Sequence, residues 1–479
     1  MSPEINRNLH YALRAYQVAA LERWQKYMNS APKLSVQLLF NMATGSGKTY
    51  IMAALMLDLY ARGWRNFLFF VNSANILEKT RDNFVRPNSP KYLFAPNIKI
   101  DGRNIRVREI RSFYESDPNA INIYFTTTQR LHTDLNIPHE NRISYAELSQ
   151  YNIVLIGDEA HHNNAKNNLY RPTTFGNWED TVAQILQQNP RSMLLEFTAT
   201  MDFADATIQK KYRERTIFQY DLRKFCQDGF SKEVLLYSAA DSLLERELQA
   251  IVLSQYRKHV AQKYYIPCKP VVMFKSRTVY ENKNNFSDFE LLLLHLTPEK
   301  LAEVRNSASG ILQRAFQFFD ENEIGLKQLC QELQQDFAPV NLLRMDGGQQ
   351  ISKQMQHTVN TLEASNNHYR AIFAVDMLKE GWDVLNLFDI VRLYETRDGK
   401  TKNGIYTPGK TTISEAQLIG RGARYFPFST SHQKDKYRRK FDDETENELR
   451  ILEQLHYHTS RDVQYIHEIQ QALDKIGLN

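Results

Sequence analysis

Val36-Gln-Leu-Leu-Phe-Asn-Met-Ala-Thr-Gly-Ser-Gly-Lys-Thr49 decides the fold class of this chain. Its opening, Val36–Phe40, is an apolar run of strand length, and Thr49–Tyr60 follows as a helical pattern. Between them Thr44, Gly45, Ser46 and Gly47 can curl backbone N–H groups round phosphate oxygens, at a helix N-terminus that favours anions. Lys48 would reach the β- and γ-phosphates of a nucleotide, and the Thr49 hydroxyl would ligate Mg²⁺. Such loops generally have glycine where Met42 stands. The strand–loop–helix context compensates for that departure, and a plain glycine-serine turn would not require it.

Outward from this stretch, Phe67–Val71, Ile121–Phe125, Ile153–Ile156 and Met193–Phe197 have the length of buried strands, and Trp178–Gln188 has a helical pattern. A second series follows at Val271–Phe274, Val340–Leu343, Ala371–Val375 and Ile390–Tyr394. Strands alternating with helices imply parallel sheets covered on both faces. The expected class is α/β, with two consecutive parallel-sheet domains at 1–230 and 231–430 and a join around Phe225–Ala250. A short helical segment at 431–479 should follow. Residues about 281–310 are polar, then leucine-rich, and read as an insertion in the second domain. Near the end, Lys434–Lys440 (KDKYRRK) is by default a solvated face, with phosphate binding as its alternative. Two amphipathic helices are expected after it, one striped by Leu449, Leu452 and Leu455, the other by Val463, Ile466, Ile469 and Leu473.

A chain of 479 residues exceeds what one hydrophobic core usually supports. Lys and Arg number 60 against 55 Asp and Glu, so the net charge of +5 permits a nucleic-acid partner without arguing for one. Three separated cysteines form no CxxC, which speaks against a disulfide framework and for a reducing compartment. The N-terminus has no signal-like apolar stretch, and no run approaches the roughly 18 apolar residues of a membrane span. A cytoplasmic location without membrane contact is expected.

Ile153-Val-Leu-Ile-Gly-Asp-Glu-Ala-His-His162 delivers two carboxylates at the end of an apolar strand, where α/β sheets place their sites. Asp158 would hold Mg²⁺, and Glu159 would orient and deprotonate an attacking water. A bare Asp-Glu pair is usually a solvated turn; the preceding strand and the upstream phosphate loop favour chemistry. His161 with His162, and His456 with His458, lack partner ligands at zinc spacing, so no zinc site is expected. Far downstream, Gln417-Leu-Ile-Gly-Arg-Gly-Ala-Arg424 would set Gln417, Arg421 and Arg424 on one helix face. Two arginines and a glutamine suit a γ-phosphate and its developing charge. The bland reading is a surface helix, which two glycines at about 1 kcal/mol each would disfavour.

With these three stretches in place the chain resembles a superfamily 2 helicase. The resemblance implies that Leu13-Arg-Ala-Tyr-Gln17 reads adenine through Gln17. It implies further that Leu195-Glu-Phe-Thr-Ala-Thr200 couples hydrolysis to movement through Thr198 and Thr200, together with His161. Met377-Leu-Lys-Glu-Gly-Trp-Asp-Val384 would turn Gly381 and Asp383 toward ATP. The wording of FFVNSANILEKT, YFTTTQRLH, DLRKFCQDGFSKE, TISEAQLIGRGARYFPF and ELRILEQLHYH is similar to the restriction (Res) subunit of type III restriction–modification systems, from about Leu13 to Leu473. That likeness implies RecA-like domains with ATP in a cleft between them, ATP and Mg²⁺ as cofactors, and double-stranded DNA as track. It also implies backbone contacts from Asn72, Ser73, Thr127, Thr128, Lys275 and Arg277, each with helix capping or turn closure as its bland alternative. A methyltransferase/specificity subunit or a separate nuclease would be a partner. Family members normally continue into a PD-(D/E)xK nuclease domain. No such site is expected before Asn479, so the chain would be a truncated motor, a split subunit or a nuclease-free relative. A nucleotide-gated DNA clamp or switch, and an RNA helicase, are the rival functions.

Overall fold

A computed structural model describes residues 3–30, 36–137, 142–160, 178–199, 206–238, 242–346, 353–375, 382, 384–402, 405–430 and 435–478. His161, Thr200, Gly381 and Asp383 lie outside the described residues. The chain divides into two compact units, Met1–Leu222 and Arg223–Asn479.

The first unit holds β1 (Gln37–Met42), β2 (Asn66–Val71), β3 (Ile98–Ile100), β4 (Arg103–Glu109), β5 (Ala120–Thr127), β6 (Ile153–Gly157), β7 (Met193–Thr198) and β8 (Thr216–Tyr220). They form one sheet in the order β3-β4-β5-β2-β6-β7-β1-β8. Only the short β3 runs antiparallel to its neighbour β4. Every residue of β2, β6 and β7 is buried, as expected of strands covered on both faces. The Lys48–Ala61 helix is apolar nearly all round (KTYIMAALMLDLYA), so it too is enclosed, from Tyr50 to Tyr60.

The second unit holds β9 (Glu233–Tyr237), β10 (Val271–Lys275), β11 (Leu342–Met345), β12 (Ala371–Ala374), β13 (Leu387–Arg392), the hairpin β14 (Lys400–Lys402) and β15 (Ile405–Thr407), and β16 (Gln454–His458). The main sheet is parallel throughout, in the order β11-β12-β10-β13-β16-β9. Between β10 and β11 lie four helices, Val279–Leu294, Pro298–Ser307, Gly310–Glu321 and Leu326–Asp336. The helical excursion thus runs beyond the expected 281–310. Its first helix opens with a capping box, Thr278 with Glu281.

One expected helix is absent. The Leu449, Leu452 and Leu455 stripe is a 3-10 turn, Glu448–Glu453, running directly into β16. A spacing of three fits a 3-10 turn as well as an α-helix. The ladder hydrogen bonds offered on both sides by β13 and β9 then draw the rest of the stretch into the sheet. The helix after it, Val463–Ile476, forms as expected. No described helix is long and apolar enough to cross a membrane.

β16 also carries His456 and His458, and both contact a buried ion pair. Arg257 and Asp389, each with a fully buried side chain, form an ion pair. His458 Nε2 donates to the other oxygen of Asp389 at 2.9 Å, and Arg257 donates to His456 Nδ1 at 2.5 Å. Burial, and then the Arg257 charge, hold the His456 pKa well below its ordinary value, so this imidazole accepts as a neutral ring. Asp389→Ala would leave the guanidinium enclosed without its carboxylate. The expected loss is about 3–5 kcal/mol in the denaturant unfolding of the second unit. A loss below about 1 kcal/mol, typical of exposed pairs, would show that the network does not hold this sheet together.

Candidate active site

β6, β7 and β1 are parallel neighbours, so the residues that follow them leave the sheet at one edge. Asn41 stands level with Thr198, and Gly157 level with Glu196. The phosphate loop after β1, Thr198 at the end of β7 and Asp158–Glu159 after β6 therefore share that edge. Parallel α/β sheets place ligands at this edge, outside the carboxyl ends of their strands.

Gly45 and Gly47 take φ of +81° and +79°, the left-handed region that L side chains avoid. A Cβ on Gly47 would stand 2.6 Å from Gln17 Nε2. Gln17 is packed against the loop: its Nε2 donates to the Ser46 carbonyl at 2.9 Å, and its Oε1 accepts from Arg14 N–H at 2.9 Å. Tyr16, which the sequence reading did not single out, donates its hydroxyl to the same carbonyl at 2.8 Å. Its ring stacks on Tyr220 with centroids 4.2 Å apart. Burial raises the Tyr16 pKa, so the phenol stays protonated as a donor. The signal for it was an aromatic beside Gln17, which alone does not distinguish a brace from core.

Lys48 is buried at the start of its helix, with Nζ 3.5 Å from the Met42 carbonyl. Ser46 Oγ, fully buried, has no hydrogen-bond partner among the described residues. An unused hydroxyl inside a glycine cradle, at a helix N-terminus, fits a phosphate-bearing ligand. Asp158 is buried, and its Oδ1 accepts from Glu159 N–H at 3.0 Å. Glu159 has φ of +53°. A non-glycine residue in that region costs about 1–3 kcal/mol. Thr49 and Asp158 would hold Mg²⁺.

In the second unit, the Lys410–Gly422 helix carries Gln417, exposed, and Arg421, half-buried, one turn apart. Arg424 departs from the expected single face. The helix ends at Gly422, and Arg424 instead pairs with Ser231 in an antiparallel bridge. The physical reason is that Lys232 N–H takes the Ala423 carbonyl at 2.6 Å, which closes the helix before Arg424.

Residues 10–203 match the family "Type III restriction enzyme, res subunit". A Haemophilus influenzae protein described as "Probable type III restriction-modification enzyme HindVIP Res subunit" is 34% identical over 448 residues, covering 83% of this chain and 87% of that protein. This chain belongs to the type III restriction enzyme Res-subunit family. Residues 411–479 of this Res-family chain also match a family described as HI_1054_N, N-terminal region. A second H. influenzae protein, described only as uncharacterised, is 51% identical over 67 residues, 14% of each chain. Among solved structures, Saccharomyces cerevisiae Dbp5 bound to RNA and ADP BeF3 is similar at a TM-score of 0.46 and 12% identity, covering 98% of this chain and 88% of that one.

For nucleic acid, the Res-family chain presents a mixed set. Asn72 is exposed and Ser73 half-buried after β2, and Thr127 stands level with Val71 at the end of β5. Thr127 Oγ1 accepts from Arg130 N–H at 3.2 Å and so caps the Thr128–Asn136 helix. Thr128 is half-buried. Arg277 is exposed, whereas Lys275 is buried with its amine 5.4 Å from the centre of the Tyr394 ring. Within the basic run, Arg439 is tied to Asp442 and to the Ser231 and Cys226 carbonyls. Lys440 is tied to the Tyr425 hydroxyl at 2.7 Å. Those two cations are structural.

If Glu159 accepts the proton of the attacking water, Glu159→Gln will still bind ATP with Mg²⁺. Its hydrolysis will be slower by about 10²–10⁴-fold. Single-turnover hydrolysis beside binding of a fluorescent ATP analogue reads both quantities; lost binding would make Glu159 a structural residue or a ligand.

Proposed function

We propose that this chain is the ATP-driven motor of a type III restriction–modification complex, coupling hydrolysis to movement on double-stranded DNA. The observation that carries this reading is the shared sheet edge of Lys48–Thr49, Asp158–Glu159 and Thr198. Nucleotide chemistry and its coupling to movement need these groups within reach of one another. The relative's description as a restriction-modification Res subunit supports DNA as the track and a modification subunit as the partner that supplies recognition.

In this reading Lys48 faces the β- and γ-phosphates, Gln17 faces the adenine edge and Glu159 takes the water proton. Mg²⁺, when bound, supplies charge neutralisation between phosphate oxygens. Gln417, Arg421 and Arg424 are assigned to the charge that develops on the γ-phosphate, and Gly381 and Asp383 to nucleotide binding. His161, Thr198 and Thr200 pass the state of the nucleotide to the backbone-contacting residues Asn72, Ser73, Thr127, Thr128, Lys275 and Arg277. Short hydroxyl, amide and cationic groups position a duplex without reading its bases.

The direct test is steady-state ATP turnover without nucleic acid, then with duplex DNA, single-stranded DNA and RNA, using Lys48→Ala as the control. Turnover should rise most with duplex DNA and vanish in Lys48→Ala at every condition. Stimulation by RNA alone would overturn the DNA track, and turnover in Lys48→Ala would remove the phosphate-loop assignment.

Arg421→Ala and Arg424→Ala should each retain most of their nucleotide affinity and lose about 10³-fold or more in single-turnover hydrolysis. Lysine at either position should rescue poorly, because it lacks the planar fork that bridges two oxygens. Near-normal hydrolysis in both alanine variants would end their role in the chemical step.

A further inference from the structure

The family-like stretch Asp221–Glu233 (DLRKFCQDGFSKE) has no part in the chemistry described so far, yet it ends in an unusual group. Lys232 is 1% exposed. Its Nζ donates to three carbonyl oxygens: Leu385 at 2.7 Å, Leu387 at 2.7 Å and Gly422 at 3.0 Å. The first two flank the start of β13, and the third lies at the last residue of the arginine-bearing helix, between Arg421 and Arg424. The backbone adds to the tie, since Lys232 N–H takes the Ala423 carbonyl and Ser231 bridges Arg424.

Burial pushes the pKa of this amine down, while three acceptors match the three N–H bonds of its charged form. A helix C-terminus, with its unpaired carbonyls, is also where a cation is favoured. Gly422 permits the close approach: a Cβ there would meet Leu387 Cδ2 at 3.0 Å and Ile390 Cδ1 at 3.3 Å. Upstream the same helix is held separately. The buried Glu415 accepts from Arg392 Nε at 3.1 Å and from the Tyr465 hydroxyl at 2.8 Å. Loss of Lys232 would therefore free the last turn while Glu415 keeps the helix docked.

We propose that Lys232 is a positioning residue for ATP hydrolysis, locking the last turn of the arginine helix to β13 and so setting where Arg421 and Arg424 lie. This rests on the reading that those two arginines serve the chemical step.

Lys232→Met keeps the stem of the side chain as far as Cε and removes its donors. With Mg²⁺ and duplex DNA present, binding of a fluorescent ATP analogue should stay within about twofold of wild type. Single-turnover hydrolysis should fall by about 10–100-fold, the scale set by a misplacement near 1 Å. Lys232→Ala should behave alike and recover saturably with propylammonium, which replaces the missing stem and charge. In an Arg421→Ala, Arg424→Ala background, Lys232→Met should add no more than about a twofold loss, because it acts through those residues. Normal hydrolysis, equal loss of binding and hydrolysis, full multiplication of the separate losses, or loss of the cooperative thermal transition would each overturn the proposal. Slow Lys232→Met beside near-normal arginine variants would remove the arginine assignment as well, a pattern distinct from failure of the clamp alone.

Discussion

The parallel ladder β6-β7-β1 is the constraint on which the first unit depends. Parallel neighbours bond in one direction and must be joined by crossovers, so all three strands leave the sheet at the same edge. Groups as far apart in the chain as Lys48 and Thr198 are thereby held at one edge of the sheet. The strands can do this because they are largely apolar, β6 and β7 buried throughout and β1 buried beyond Gln37. Glu159 pays for its place at that edge with a left-handed backbone.

The second unit solves a different problem, that of holding a polar helix steady against a sheet. It does so with charges inside the protein: Lys232 at the end of the helix, Arg392 with Glu415 along its side, and Arg257 with Asp389 below. Buried ion pairs add little net stability compared with apolar packing, but removing one partner is destabilising. What they offer is direction. An ammonium meeting three carbonyls has one satisfying arrangement, whereas leucines packed on leucines have many.

The same logic separates the cations that serve the structure from those available to a ligand. Arg439 and Lys440 belong to a run expected to be a solvated face, with phosphate binding as its alternative, yet each is committed to carboxylates, carbonyls or a phenol within its own unit. Exposed Arg277 has its backbone N–H bound by Glu281 and its side chain at the surface. Lysine and arginine content therefore says little about nucleic-acid binding until burial is known.

By itself the sequence determined the α/β class, the strands that carry the phosphate loop and the carboxylate pair, and the identity of the groups placed on them. These are local properties: apolar runs of strand length, glycines ahead of a lysine, carboxylates behind a strand. Tertiary structure alone decided that Leu449–Leu455 enters a sheet instead of forming an α-helix, because the hydrogen bonds on offer came from β13 and β9, distant in the chain. It likewise took Arg424 off the helix, bound His456 and His458 to a buried ion pair, and turned Lys232 into a cap. Each of those outcomes depends on which partner closes on a residue from elsewhere in the chain, and no periodicity or spacing within the stretch records that partner.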